Sequence, residues 1–378
     1  MSSEASSTEP RFAPVILAGG SGTRFWPRSR SSRAKQVLAL DGERTMIRQT
    51  VDRLLPLASP ANLWVLTNPL LAPTIAEQLP EMPPGNILSE PVPRNTAPAC
   101  ALAAFLLART APGTVIGVFP SDHVVGNTAR FVEILRAGIR LAASGERIVV
   151  LGVPPTRPET GYGYIELGDT VADQEGRISC RRVRRFTEKP DLARAEQFLA
   201  SGSYVWNGGI FLWTARTLVN AIREHAPAMA PLLERIAAAH GTPAFQQVFA
   251  ELYPECDNIS IDYAVLEPRS ARGEAASQIL CLPADFSWND LGSWAALHEH
   301  LTTGEMYNTF DTANPVNCTI DAQRNYVYAP GKVVALLGVD DLVVVDTGDC
   351  LLITRRDRSQ DVGRIVQHLK RTGNETLT

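Results

Sequence analysis

Short apolar runs alternate with helically spaced apolar positions through the first two thirds of the chain. Val15–Leu17, Leu63–Leu66, Ile87–Leu88, Val115–Phe119 and Ile148–Val153 are compact apolar runs bounded by turn residues, which predicts buried strands. Between them, Met46 to Leu57 (apolar at Met46, Ile47, Val51, Leu54 and Leu55), Ile75–Leu79, Ala97–Ala108 and Phe131–Ala142 read as helices. This strand–helix rhythm predicts an α/β fold with a mostly parallel sheet flanked by helices. Ile178 to Phe186 is basic and β-like. Leu192–Leu199 is helical, Ile210–Trp213 a strand, and Leu218–Ala239 helical with a break near Pro227. Ile261–Leu266 ends in a short helix and Ile279–Leu282 is a strand.

After about Leu301 the pattern changes. Val316–Ile320, Tyr326–Ala329, Val333–Leu337, Leu342–Asp346 and Leu351–Thr354 are short β runs separated by Asn, Asp and Gly turns, which predicts a small, solenoid-like β module. Val362, Ile365, Val366 and Leu369 form a helical stripe expected to pack on it. The Ser/Glu/Thr-rich start lacks the basic-then-apolar plan of a signal peptide and reads as disordered. The expected organisation is a tail over 1–10, an α/β domain over 11–300 and a β module with a terminal helix over 301–378.

In parallel sheets ligands bind at the carboxyl ends of the strands. The first such end is Val15-Ile16-Leu17-Ala18-Gly19-Gly20-Ser21-Gly22-Thr23-Arg24, with Lys35 beyond. Glycines let backbone N–H groups approach a ligand closely, and the two cations suit polyphosphate. No Gly-Lys-Ser/Thr follows at P-loop spacing, and Phe25 occupies the third small position of a dinucleotide fingerprint. Alone, the stretch is weak evidence, since such glycine turns also serve as plain tight connections.

Composition narrows the partners. The chain has 378 residues, is 45% hydrophobic and 20% charged, and carries a net charge of −4. That balance argues against a nucleic-acid protein held by a broad basic surface. No apolar run approaches the ~20 residues needed to span a bilayer, so no membrane association is expected. Six scattered cysteines without a C-x-x-C pair speak against a zinc site or disulfide framework and fit a reducing cytoplasm.

Other strand ends carry candidate chemistry. Asp122, in Pro120-Ser121-Asp122-His123, suits a Mg2+ ligand or a cap; His123 suits packing equally well. Asp290, before Leu291-Gly292, is a turn residue or the second carboxylate on one metal. Lys189, in Arg185-Phe186-Thr187-Glu188-Lys189-Pro190, sits on a turn fixed by proline and could meet a phosphate. Asn207, in Trp206-Asn207-Gly208-Gly209, suits sugar hydroxyls or a left-handed turn. In Glu90-Pro91-Val92-Pro93-Arg94-Asn95-Thr96, capping by Asn95 or Thr96 explains those residues but does not require Arg94.

Taken in order, Gly20-x-Gly22-x-Arg24 with Lys35, the Glu90–Ala99 loop, Pro120–His123, Gly161-Tyr162-Gly163-Tyr164, Phe186–Pro190, Trp206–Gly209 and Trp288-x-Asp290-Leu-Gly-Ser-Trp294 resemble the sugar-1-phosphate nucleotidylyltransferases. The wording Leu17–Pro27 is similar to the mannose-1-phosphate guanylyltransferase branch. The resemblance implies a Rossmann-like domain with a β-helix-like C-terminal module, often at a dimer contact, hence a homodimer. It implies a Mg2+-dependent attack of mannose 1-phosphate on the α-phosphorus of GTP. Arg24 and Lys35 would hold the β- and γ-phosphates, and Asp122 and Asp290 the Mg2+. Lys189 would hold the sugar phosphate, and Gly163, Glu188, Asn207 and Asp262 the sugar. Leu17, Ala18, Gly19, Gly20, Gly22, Thr23, Arg94, Asn95, Thr96, Ser121 and Asp122 would line the nucleotide. Bifunctional members add a cupin isomerase domain, for which this chain is too short, so a monofunctional enzyme is expected. A phosphomonoester with its second pKa near 6 is largely ionised at neutral pH, so no general base is required. Three departures stand out. Ala34 replaces the usual Pro before Lys35, Arg28 replaces an apolar residue, and Gly208 replaces a Ser.

Overall fold

The computed structural model describes residues 9–171, 178–302, 307–311 and 316–378. The expected tail lies outside the described residues, except for its last two. Strands β1 (Phe12–Leu17), β2 (Trp64–Thr67), β3 (Ile87–Ser89) and β4 (Val115–Pro120) form one parallel half of a sheet. Just beyond β4, β5 (Val124–Val125) leaves the sheet. Then come β6 (Ile148–Val153), β7 (Tyr164–Val171), β8 (Cys180–Thr187), β9 (Tyr204–Thr214) and β10 (Ile279–Pro283). The nine-stranded order is β3-β2-β1-β4-β9-β6-β10-β8-β7, with a further pairing of β9 to β7. Only β8 and β9 run against the rest, so the mixed sheet is mostly parallel.

Period-two side-chain alternation explains the continuous apolar runs of the central strands. Val15, Ile116, Val118, Ile148 and Val150 pack into one core, on the side of helix Thr96–Ala108. Ile16, Val115, Phe119, Val149 and Leu151 pack into the other, against helices Met46–Leu54 and Thr128–Ala143. Helix Thr96–Ala108 is buried from Ala97 to Leu106, which is why it is apolar all round. Among the described residues no helix is long and apolar enough to cross a membrane.

Several elements differ from the sequence expectation. The strand expected at Ile210–Trp213 begins at Tyr204 and carries Trp206-Asn207-Gly208-Gly209 within it. The left-handed residue there is Gly209 (φ 69°), not Asn207, whose side-chain oxygen accepts from the Gly209 N–H at 3.1 Å. The segment Thr160–Tyr164 leads into a full strand, and helices Phe245–Leu252 and Trp294–Leu301 arise where the sequence shows no clear periodicity. Pro227 does break Leu218–Ala239, into helices Ala215–His225 and Ala230–Ala239.

A two-stranded antiparallel ribbon forms between β5 and β11 (Trp288–Asn289). In the C-terminal region, β12 (Thr309–Phe310), β14 (Tyr326–Tyr328) and β16 (Leu342–Asp346) stack in parallel, as do β13 (Asn317–Ile320) and β15 (Val334–Leu337). The register, Thr309↔Tyr326↔Val343 and Asn317↔Val334, repeats at one fixed step, as a solenoid requires. Buried Asn325 links the rungs, donating to Asn308 and to the Val339 carbonyl while accepting from the Leu342 N–H. A closing antiparallel strand, β17 (Leu351–Arg355), ends the solenoid. The terminal helix Gly363–Arg371 packs beyond the module as well. Val362 and Val366 share a core with Phe25, Trp26, Trp294 and Tyr326.

Candidate active site

The loop after β1 is closed by contacts that only glycine permits. Gly22 has φ 59°, and a Cβ there would sit 2.7 Å from the Lys35 backbone nitrogen and 2.9 Å from its Cβ. Gln36, which carries no signal in the sequence, donates to the carbonyls of Ala18 (2.8 Å) and Gly20 (2.9 Å). With those carbonyls tied back, the N–H groups of Gly19, Gly20 and Ser21 have no partner among the described residues. They form a ready anion cradle. The buried Lys35 ammonium donates to the Asp122 carboxylate at 2.9 Å and to the Asp290 carbonyl at 2.6 Å. Ala34, in place of proline, has φ −71° and ψ 169° and is fully buried. It therefore holds a proline-like backbone without the ring.

The β5–β11 ribbon is what brings Asp122 and Asp290 together. Its register sets Asn289 opposite Val124, so the loop carrying Asp122 meets the one carrying Asp290 around Lys35. Burial pushes the Asp122 carboxyl up, but Lys35, His123 and Arg24 outweigh it and hold the group below its ordinary range. Burial and the nearby Asp290 carboxylate push the Tyr162 hydroxyl up, and the position of a Gly292 Cβ lies 2.9 Å from Asp290 Oδ2 and 3.5 Å from Arg24 Nη1. Among the described residues no cluster of three metal-ligating side chains exists. A divalent ion here would have two carboxylates, with substrate oxygens and water for the rest, which fits Mg2+ and argues against a closed zinc site. His123 takes a structural part: its Nδ1 accepts from Trp288 Nε1 at 3.1 Å, and burial lowers its pKa to about 4.

A cavity of about 410 Å3 opens at the carboxyl ends of β1, β2 and β4. Of the predicted residues, Leu17, Gly19, Gly20, Arg94, Asn95, Thr96, Asn207 and Asp262 line it. Ala18 and Ser121 lie behind the wall: the Ala18 N–H donates to Leu66, and the Ser121 N–H to Leu17. Arg94 donates to the Pro254 carbonyl, and the Thr96 hydroxyl accepts from the Ile261 N–H at 2.9 Å. Both therefore also tie the loop to the segment before Asp262. Asn95 caps the helix from φ 64°, a sparsely populated conformation held at the cavity wall.

At the other end, Asn207 donates to Asp262 at 2.9 Å, and the Asn207 N–H donates to the Gly163 carbonyl at 2.8 Å. A Cβ on Gly163 would collide with Glu188 Oε2, so glycine leaves room for that carboxylate. The exposed Lys189 ammonium lies 3.2 Å from Glu188. Burial, reinforced by Glu188, raises Asp262 to about 7. Thus Gly163, Glu188, Lys189, Asn207 and Asp262 converge, although they come from four separate elements.

One cavity residue belongs to a sequence motif without having drawn a role from it. Glu90, directly after β3, is buried, accepts from the Tyr253 hydroxyl, and has its pKa raised to about 7 by burial. A carboxylate at a strand's ligand edge was the available signal.

Comparison with known proteins gives the family. The family model "Nucleotidyl transferase" matches residues 13–305, and "MannoseP isomerase/GMP-like beta-helix domain" matches 316–369. A mannose-1-phosphate guanylyltransferase of Klebsiella pneumoniae is 37% identical over 94% of this chain and 74% of its own length. The xanthan biosynthesis protein XanB of Xanthomonas campestris is 37% identical over 97% of this chain and 74% of its own. A solved structure from Thermus thermophilus, described as a mannose-1-phosphate geranyltransferase, aligns with a TM-score of 0.82 at 32% identity, covering 95% of this chain and 99% of that one. The chain belongs to the nucleotidyl transferase family.

Proposed function

We propose that the protein transfers a guanylyl group from GTP to mannose 1-phosphate, releasing pyrophosphate and forming GDP-mannose. The observation that carries this reading is the β5–β11 ribbon, which gathers Asp122 and Asp290 about Lys35 beside the glycine loop. The names of the related proteins supply the substrates. A sugar-phosphate oxygen attacks the GTP α-phosphorus in line, and the bond to the β-phosphate bridging oxygen breaks. The residues' work is to hold two polyanions together and neutralise the charge that develops on the leaving group.

In this reading the loop N–H groups, Arg24 and Lys35 hold the β- and γ-phosphates. Asp122 and Asp290 would hold Mg2+, which when bound neutralises phosphate charge. Lys189 holds the sugar phosphate, and Glu188, Asn207 and Asp262 meet sugar hydroxyls. Guanine lies against the Arg94–Thr96 loop, where the buried Glu90 carboxylate can accept from N1–H and the N2 amine. Residues 11–300 form the catalytic domain and 301–378 the accessory module. Ile320 and Leu337, exposed on β13 and β15, present a face for a second copy. The resulting homodimer, working in the cytoplasm, is checked by sedimentation of the purified protein.

The test is pyrophosphate release across four nucleoside triphosphates and a panel of sugar 1-phosphates. GTP with mannose 1-phosphate and Mg2+ should be best by at least tenfold. Equal rates with ATP, UTP or dTTP would sink the guanylyl assignment. Faster turnover of glucose or heptose 1-phosphate would change the sugar.

A further inference from the structure

The segment after the glycine loop is gripped along its length by the C-terminal chain. Trp26 Nε1 donates to the Leu377 carbonyl at 2.7 Å, and the Ser31 N–H to the Thr378 carbonyl at 3.1 Å. Arg28, the residue that departs from the family pattern, pairs with Asp311 at 3.0 Å and lies 4.0 Å over the Tyr328 ring. Arg30 pairs with Asp349 at 3.1 Å. Helix Gly363–Arg371 begins against Thr23, where a Cβ on Gly363 would lie 3.3 Å from Thr23 Oγ1.

One of these contacts falls on a group that the proposed chemistry uses. Gln360 Oε1 accepts a 3.0 Å hydrogen bond from Arg24 Nη1. Gln360 is exposed, but it sits on the short helical segment Arg356–Val362, pinned by buried Ser359 and Val362. The two side chains meet at a cavity of about 580 Å3, separate from the nucleotide cavity. Tyr162, Asp290 and Gly292 line it from the catalytic side, and Arg356 and Gln360 from the C-terminal side. A free arginine must be ordered before it can meet a phosphate, and that ordering costs binding energy. An amide suits the ordering role, because its oxygen takes one of the five guanidinium donors and leaves the positive charge intact. A carboxylate in its place would cancel the charge.

We propose that Gln360 is a positioning residue that aims Arg24 into this second cavity, so that the C-terminal module completes the site from which pyrophosphate leaves. The proposal rests on the guanylyl-transfer reading. It differs from a general stabilising role of the module, because it acts through one named side chain.

The experiment is a double-mutant cycle of Gln360→Ala and Arg24→Ala in the full chain, assayed forward and in pyrophosphorolysis. Gln360→Ala should lower kcat/KM for GTP and raise KM for pyrophosphate, each roughly tenfold. KM for mannose 1-phosphate and the thermal midpoint should be unchanged. In the Arg24→Ala background, Gln360→Ala should cost nothing further, since it acts through Arg24. Unchanged kinetics in the single variant, or the same loss in both backgrounds, would overturn the proposal. A wild-type enzyme inactive with every nucleotide would instead overturn the guanylyl-transfer reading itself.

Discussion

The carboxylates at the two ends of the site are pushed in opposite directions, Asp122 below its ordinary range and Glu90 and Asp262 above theirs. At the proposed phosphate end, Asp122 is half-buried, and Lys35, His123 and Arg24 outweigh the desolvation and hold its carboxyl below the ordinary range. At the proposed base and sugar end, Glu90 and Asp262 are pushed to about 7 by burial, and Lys189 does not offset it at Asp262. Charged neighbours decide the first case and desolvation the second. The phosphate end is thus stabilised by its own charges and prepared for anions. The other end is strained until a ligand with hydroxyl or N–H donors meets its carboxylates. In the proposed reaction, the difference is that between a site that would neutralise charge and a site that would recognise neutral polar groups.

The hardest blow to this contrast is struck at the phosphate end. Asp122→Asn keeps the shape and removes the charge, so turnover should fall at least ~100-fold, as when one electrostatic stabiliser is lost. Steady-state pyrophosphate release measures it. Near-normal turnover would take Asp122 out of the metal role and leave Lys35 with a purely structural partner.

The sugar end should respond in the opposite sense. Below about pH 3 both folded and unfolded Asp262 hold their proton, and the residue costs no stability. As pH rises toward about 7 the unfolded carboxyl ionises while the folded one resists, so stability falls across that window and levels off above it. Asp262→Asn removes this penalty. Its thermal midpoint should match wild type below about pH 3 and exceed it by about 2 °C or more at pH 8. KM for the sugar phosphate should meanwhile rise roughly tenfold, because a neutral amide replaces a carboxylate acceptor. A variant less stable than wild type at pH 8 would show that the Asn207 hydrogen bond outweighs burial. Together with Asp122→Asn, this separates a carboxylate kept for stability and chemistry from one kept for recognition against stability.

Most strands and the phosphate loop were legible in the sequence, because buried parallel strands are short apolar runs and glycine turns follow them. What the residues could not reveal was pairing at long range. Asp122 and Asp290 are 168 positions apart, and the two-residue strands that join them carry no periodicity. Tyr164–Val171 escapes notice as a strand because it alternates imperfectly, with register shifts at Glu166/Leu167 and Leu167/Thr170. Helix Trp294–Leu301 is hidden because its residues serve the packing between the loop after β1 and the solenoid, a contact made only by the folded chain. Gln36 and Gln360 carry no signal because an amide that orients another group has no spacing of its own.

The smallest effect concerns Ala34, where the proline usual before the signature lysine is missing. The buried alanine already holds φ −71°, inside the range that the proline ring imposes, and Lys35 is aimed by other means. Gly22 packs against its backbone, and Asp122 and the Asp290 carbonyl fix its ammonium. Restoring the ring should therefore act on the unfolded chain alone. Ala34→Pro is expected to raise stability by about 0.4–1 kcal/mol, read as a shift in the denaturant midpoint, with kcat unchanged within twofold. A large gain in kcat would mean that Lys35 is poorly aimed in this protein. A loss of stability would mean that the space around Ala34 cannot admit the ring. The expected outcome assigns the family's proline to chain stiffness and leaves the aim of Lys35 to the same charges that keep Asp122 ionised.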